Sequence, residues 1–151
     1  MELILWRHCD ARVGVPDTAR PLTPRGRDEA KKMAAWLARR LPENTRILVS
    51  PAVRAQETAE ALGRSFETVA SLAPGASVDN VLRASGWPGG SPTTLIVGHE
   101  PTLGDVAARL IESGPGAEPL QKGAIAWLVR DPDTANGALL KIAATPASVR
   151  N

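Results

Sequence analysis

Apolar positions along this chain follow two rhythms. Short unbroken runs occur at Leu3-Ile4-Leu5-Trp6, Ile47-Leu48-Val49 and Leu95-Ile96-Val97, the pattern of strands buried on both faces of a sheet. Elsewhere the apolar residues return every third or fourth position, as at Ala30, Met33, Ala34, Leu37, Ala38 and Leu41, with Arg25, Asp28, Lys31, Lys32 and Arg39 on the other side. That is the stripe of an amphipathic helix. Leu103, Val106, Ala107, Leu110 and Ile111 repeat it.

The two rhythms predict strands over 2–7, 46–49, 66–69 and 93–97, and helices over 24–41, 51–62, 77–84 and 102–112. Thr23-Pro24 and Ser50-Pro51 each read as an N-cap followed by proline at the first helical position. Ser77 and Thr102 are the other expected caps, with Asp105 as the capping-box partner of Thr102. Pro42 and Gly63 close the first two helices. The segment 10–22, with Gly14, Pro16 and Pro21, reads as a loop, as does Trp87-Pro88-Gly89-Gly90-Ser91-Pro92.

After a break at Gly114-Pro115-Gly116, runs over 123–129 and 138–144 flank the turn-rich stretch 131–137 and predict an antiparallel hairpin. Strands alternating with helices imply an α/β fold: a three-layer α/β/α sandwich on a mostly parallel central sheet, ending in that hairpin. With no linker or repeat visible, residues 1–151 are expected to form a single domain.

Composition narrows the class. At 151 residues, 43% hydrophobic and 23% charged, the chain is that of an ordinary globular protein. A formal charge of +2 from scattered residues, without a recognition motif, argues against nucleic acid as a partner. One cysteine excludes an internal disulfide, and the apolar start breaks at Arg7 and His8, too early for a signal peptide or membrane span. A cytoplasmic location without membrane association is expected, and the oligomeric state is left open.

The candidate chemistry sits where the strand-like runs end. Arg7 and His8 follow the first, Ser50 the second with Arg54 in the next helical turn, and Gly98 and His99 the fourth. Ligands of open α/β sheets collect beyond such carboxyl ends, and helical side chains lean toward the N-terminus, so Arg54 should reach back toward the same place. His8 and His99 are the chain's only histidines. Guanidinium groups match phosphate oxygens in bidentate fashion, and a neutral imidazole is a competent nucleophile. Phosphoryl transfer, which needs positioning and charge spreading, is the chemistry this set serves. The arginines would hold the histidine deprotonated and would repel a cation, so neither metal nor cofactor is expected.

Four segments together resemble the histidine phosphatase superfamily: Leu5-Trp6-Arg7-His8, Leu22-Thr23-Pro24-Arg25-Gly26, the run from Ser50 to Ala59 that includes Arg54, and Gly98-His99-Glu100-Pro101. The short loops resemble its compact phosphohistidine phosphatase branch, the SixA type, more than the larger mutases. The resemblance implies a phosphoglycerate mutase-like fold. It also implies that His8 carries a transient phosphoryl group, that Arg7 and Arg54 clamp phosphate, that His99 donates to it, and that Ser50 lies at the pocket edge. The implied partner is a phosphorylated protein, such as a histidine-containing phosphotransfer domain, or a small phosphoester. The alternatives are a broad small-molecule phosphomonoesterase and a non-catalytic phosphate-binding module.

Two positions depart from the pattern. Cys9 stands where the superfamily usually has glycine, and it reads as a small buried filler rather than a reactive thiolate. The acidic proton donor of larger members has no equivalent, since Glu67 and Asp79 lack a recognisable context. Glu100 is the acid candidate, with Asp10 behind it. A phosphoramidate departs as imidazole and needs less protonation than an alkoxide, which favours a phosphohistidine substrate. Trp6, Trp36 and Trp127 read as core or interface aromatics, and Trp87 as a loop anchor in preference to a residue bordering the site.

Overall fold

The computed structural model describes residues 1–112 and 118–150. Six strands form one sheet: β1 (Glu2–Arg7), β2 (Arg46–Val49), β3 (Glu67–Thr68), β4 (Thr93–Gly98), β5 (Ile125–Arg130) and β6 (Ala138–Ala144). Their spatial order is β3-β2-β4-β1-β5-β6. The first four are mutually parallel, whereas β5 runs antiparallel to both β1 and β6. The expected hairpin is therefore the β5–β6 pair. The expected break at 114–116 lies outside the described residues.

The helices are α1 (Pro24–Ala38), α2 (Val53–Glu60), α3 (Val78–Ser85) and α4 (Thr102–Leu110). Because successive strand residues point to opposite faces, the apolar runs feed two cores. Ile4, Trp6, Ile47, Val49, Leu95 and Val97 pack with Met33, Leu37, Ala55 and Ala59 of α1 and α2. Leu3, Leu5, Leu48 and Ile96 pack on the other face with Val81, Leu103, Val106 and Leu110 of α3 and α4. Three layers result, as the alternation of elements implied. Among the described residues no helix is long and apolar enough to cross a membrane.

Several boundaries differ from the sequence reading. Helix α1 ends at Ala38 rather than 41, and its last turn continues only as bonds from the Arg40 and Leu41 amides to Leu37 O. Ala38 is exposed, and Trp36 is buried in its place. Helix α2 begins at Val53, not Pro51, because Ser50 does not cap it. Ala52 is the capping residue, still extended at φ −62° and ψ 139°. Helix α4 stops at Leu110, and β3 is only two exposed residues at the sheet edge. Thr23 does cap α1, accepting from the Gly26 amide at 2.9 Å, and Ser77 caps α3 in the same way through the Asn80 amide.

The tryptophans fill the roles expected of them. Trp6, Trp36 and Trp127 are buried, and the Trp87 indole donates to Asn136 O at 2.8 Å, tying its loop to the β5–β6 turn.

Candidate active site

Strand register builds the site. In the β1–β4 pair Arg7 lies opposite Gly98, and the ladder continues one step as the His8 amide bonds Gly98 O at 3.0 Å. His8 and His99 consequently leave neighbouring strand ends together, with ring centroids 5.2 Å apart. On the other side of β4, Val49 lies opposite Val97 and the Ser50 amide bonds Val97 O at 3.1 Å. Ser50 is thereby brought beside His99 although 49 positions separate them.

Arg54, in the first turn of α2, points back over these strand ends as the helix geometry requires. It is 4% exposed, and its Nε donates to His8 Nε2 at 3.3 Å. Its two terminal nitrogens reach Asp17, one to the backbone carbonyl at 2.9 Å and one to Oδ2 at 3.2 Å. Arg7 holds Leu120 O through Nη1 at 2.9 Å, while its buried Nε has no partner among the described residues. Thus His8, Arg7, Arg54 and His99, drawn from two strand ends and a helix, surround one cavity of about 190 Å3.

The imidazoles are fixed in complementary states. His8 Nδ1 lies 2.8 Å from Cys9 O, which can only accept, so Nδ1 carries the proton and Nε2 carries the lone pair. Burial, and then the charges of Arg54 and Arg7, bring the His8 pKa down to about 4. The ring is neutral at pH 7. His99 Nε2 lies 2.7 Å from Ser50 Oγ, and that oxygen already accepts from the Ala52 amide. The Ser50 proton has no other acceptor among the described residues, and its donation into His99 Nε2 puts the His99 proton on Nδ1. Nδ1 is buried and has no partner among the described residues. Burial, followed by the neighbouring His8 and Arg54, lowers the His99 pKa to about 3.

Ser50 is thus fully buried behind His99 and does not form the cavity edge where it was expected. Its hydroxyl donates to the ring while its oxygen accepts from the amide of Ala52, just before the first turn of α2. The capping box at α4 is also corrected. Thr102 donates to Ala76 O at 2.6 Å, and the α4 amide at Gly104 is capped by Glu100 Oε1 at 2.6 Å. Asp105 plays no part in it.

Among the described residues lining the cavity Glu100 is the only carboxylate. Burial raises its pKa, against the opposing effects of the Gly104 and Leu120 amides and the Arg7 charge. Asp10 is instead tied to Thr23 Oγ1 at 2.7 Å and Lys122 Nζ at 3.0 Å, and these bonds lower its pKa. Glu67 and Asp79 pair with Arg46 and Arg109 elsewhere on the surface. Cys9 is fully buried, its amide bonded to Thr58 Oγ1 at 3.0 Å, and burial pushes its thiol up to about 12. It is an inert filler.

Sequence reasoning missed Arg20 and Lys122, which add two cations to the cavity wall, and Asp17, which anchors Arg54. Lys122 is 114 positions from His8, and no local pattern marks it. The Asp17-x-x-Arg20 spacing was the one available signal, since the two side chains pair at 3.1 Å. With four cations facing one acid, the wall suits a multiply charged anion. Among the described residues no three His, Cys, Asp or Glu side chains are grouped to hold a metal.

The chain is similar to known proteins in sequence and in fold. Residues 3–75 match the model of a family described as the histidine phosphatase superfamily, branch 1. The phosphohistidine phosphatase SixA of Escherichia coli strain K12 is 36% identical over 129 residues, which cover 79% of this chain and 78% of that protein. Among solved structures, the protein histidine phosphatase SixA complexed with tungstate has a TM-score of 0.81 at 29% identity, covering 97% of this chain and 98% of that one. A phosphoserine phosphatase from Entamoeba histolytica in complex with phosphoserine shares the fold, with a TM-score of 0.71 at 15% identity over 99% of both chains.

Proposed function

The chain belongs to the histidine phosphatase superfamily, and from that membership we propose that it hydrolyses phosphohistidine on a protein through a phosphoryl group carried transiently by His8. The observation that carries this reading is the neutral His8 ring in the cavity wall, whose Nδ1 proton is committed to Cys9 O and whose Nε2 lone pair accepts from Arg54 Nε at 3.3 Å, the bond that an incoming phosphorus would replace. A lone pair held at that atom at pH 7 is what attack on phosphorus needs.

In the first step the His8 Nε2–P bond forms as the substrate P–N bond breaks, and the departing imidazole takes up a proton. Arg7, Arg54 and His99 Nδ1–H donate to the equatorial oxygens as charge spreads over them. In the second step water attacks the phosphoryl group, releasing inorganic phosphate and restoring neutral His8. Glu100 is the proton donor in this reading, supported by its place in the wall and its raised pKa. Ser50 acts through His99 as a positioning residue. The reaction needs no cofactor, because the charge stabilisation a metal would supply comes from guanidinium groups.

The reading carries with it a single domain, a phosphoprotein partner rather than nucleic acid, and a cytoplasmic location, the last supported by a lone buried cysteine. A second reading, a broad phosphomonoesterase, is favoured by Glu100, because a carboxyl with a raised pKa would also serve an alkoxide leaving group. Incubation with a histidine-phosphorylated phosphotransfer domain labelled with 32P, followed by a rapid quench, tests the proposal. Label should appear on the wild type and be absent from His8→Ala. Phosphate binding without any labelling would leave a non-catalytic module. Faster turnover of aryl or sugar phosphates would favour the second reading.

A further inference from the structure

The cavity itself can recognise little beyond the phosphoryl group. Among the described residues its wall, apart from Ala11, Pro74 and Gly75, is charged or imidazole and offers no aromatic or large apolar surface to a leaving group. Discrimination between substrates must therefore come from outside the cavity.

The loop after His8 supplies a candidate surface. Its stem is closed by a bridge between Ala11 and Leu22 and by the Arg12 amide bonding Pro21 O at 2.8 Å. Arg20 holds the stem from within, donating to Arg12 O at 3.0 Å and to Asp17 Oδ1 at 3.1 Å. Asp17 in turn holds Arg54, and Ala11 and Arg20 line the cavity. The loop is thus continuous with the wall and braced against its phosphate-facing arginine. At its tip Val13 is 99% exposed and Val15 is 95% exposed. The other large exposed hydrophobics among the described residues are Leu139 and Leu140 of β6, at 38% and 36%. Two β-branched aliphatic side chains held almost entirely in water on a braced rim are available to the apolar surface of a partner.

We propose that Val13 and Val15 form the docking contact for the protein that bears the phosphohistidine, packing against apolar surface beside that residue while the phosphoryl group enters the cavity. The inference rests on the phosphohistidine reading above and adds the determinant of protein over small-molecule substrates. Burial of the two side chains would contribute to capture of the protein and nothing to a ligand confined to the cavity.

The test compares Val13→Ser/Val15→Ser with wild type on two substrates, a histidine-phosphorylated phosphotransfer domain and N-phosphoimidazole. The double variant should lose about tenfold in kcat/KM on the protein and stay within about twofold on phosphoimidazole. Val13→Leu/Val15→Leu, which keeps the apolar surface, should retain the protein activity. Equal rates of wild type and serine variant on the protein, or equal losses on both substrates, would overturn the docking contact alone. So would self-association of the wild type, read by sedimentation, that the serine variant abolishes while protein turnover is unchanged. A wild type that cleaves phosphoimidazole but not the phosphoprotein would instead sink the underlying reading as well.

Discussion

Arg54 Nε donates to His8 Nε2 at 3.3 Å across 46 positions of sequence. The imidazole nitrogen that must stay unprotonated is therefore held by a cation that will not give up its own proton. Burial first, and then the Arg54 charge, bring the His8 pKa to about 4, and burial followed by the neighbouring His8 and Arg54 brings His99 to about 3.

Stability should depend on pH accordingly. An unfolded histidine takes up its proton near 6.5, whereas folded His8 does so only near 4. Between those values the unfolded state binds more protons, so stability falls as pH drops from about 6.5 toward about 4 and levels off below. The stabilisation present above pH 6.5 and lost over this range is about 3 kcal/mol for His8. His99 titrates against His8 and adds to the loss in the same direction. With only two histidines in the chain, NMR titration of the imidazole resonances provides a direct check. Midpoints near 4 and 3 are expected, and a midpoint near 6.5 for either ring would contradict the site electrostatics.

Cys9 should be chemically silent. Its thiol is fully buried and pushed up to about 12 by burial and by Glu29, so almost no thiolate exists at pH 8. A disulfide reagent such as dithiobis(nitrobenzoate) should leave the native protein unmodified and fully active, then titrate one thiol after unfolding. Rapid modification of the native protein would show that Cys9 is accessible.

The strand ends were legible because β1, β2 and β4 are continuous apolar runs, and polar residues immediately after them must leave the core. Arg54 was legible because a first-turn side chain can lean only one way. What escaped the sequence depended on choices between equally available partners. Ser50 followed by Pro51 has the chemistry of an N-cap and its oxygen does accept from the Ala52 amide, but the helix starts only at Val53 and the β2–β4 register sets the hydroxyl proton against His99. Thr102 and Asp105 have capping-box spacing, yet Glu100 reaches the Gly104 amide first. Lys122 reaches the cavity and Asp17 reaches Arg54 through segments whose paths follow from packing and carry no periodic signal.

Asp17→Asn should tighten inorganic phosphate. The substitution keeps the backbone carbonyl that accepts from Arg54 Nη1 and removes the carboxylate charge that competes with an anion for Nη2. Because Asp17 is solvent-exposed and its pairing is screened, the effect is modest. The inhibition constant for phosphate should fall about two- to fivefold. A weaker phosphate complex would mean instead that the carboxylate is needed to orient Arg54.

Removing the Ser50 hydroxyl should reach the reaction through His99 alone. In Ser50→Ala nothing donates to Nε2, so the imidazole proton is no longer confined to Nδ1. A loss of about tenfold in kcat is expected, with KM little changed because Arg7 and Arg54 still bind the phosphoryl group. The 15N shifts of His99 separate this from a packing defect, since they should report a protonated Nδ1 in the wild type and a mixture of tautomers in the variant. An unaltered tautomer with reduced kcat would assign Ser50 a purely structural role.

Two glycines near the site, similar in the sequence, should respond very differently to a methyl group. A Cβ on Gly26 would overlap the Asp10 carbonyl, the acceptor of the Thr23 amide at 3.0 Å. Backbone, and not a flexible side chain, blocks it. Gly26→Ala must therefore push α1 away from the segment that follows His8 and Cys9, at a cost of about 2–4 kcal/mol. A Cβ on Gly98 would meet only the Leu103 side chain, at 3.6 Å and beyond, which is ordinary contact. Gly98→Ala should change stability by less than about 1 kcal/mol even though it lies between Val97 and His99. Urea unfolding of the two variants decides the matter. Equal losses would mean that the α1 entry is not packed on the His8 loop as closely as the Asp10 carbonyl indicates.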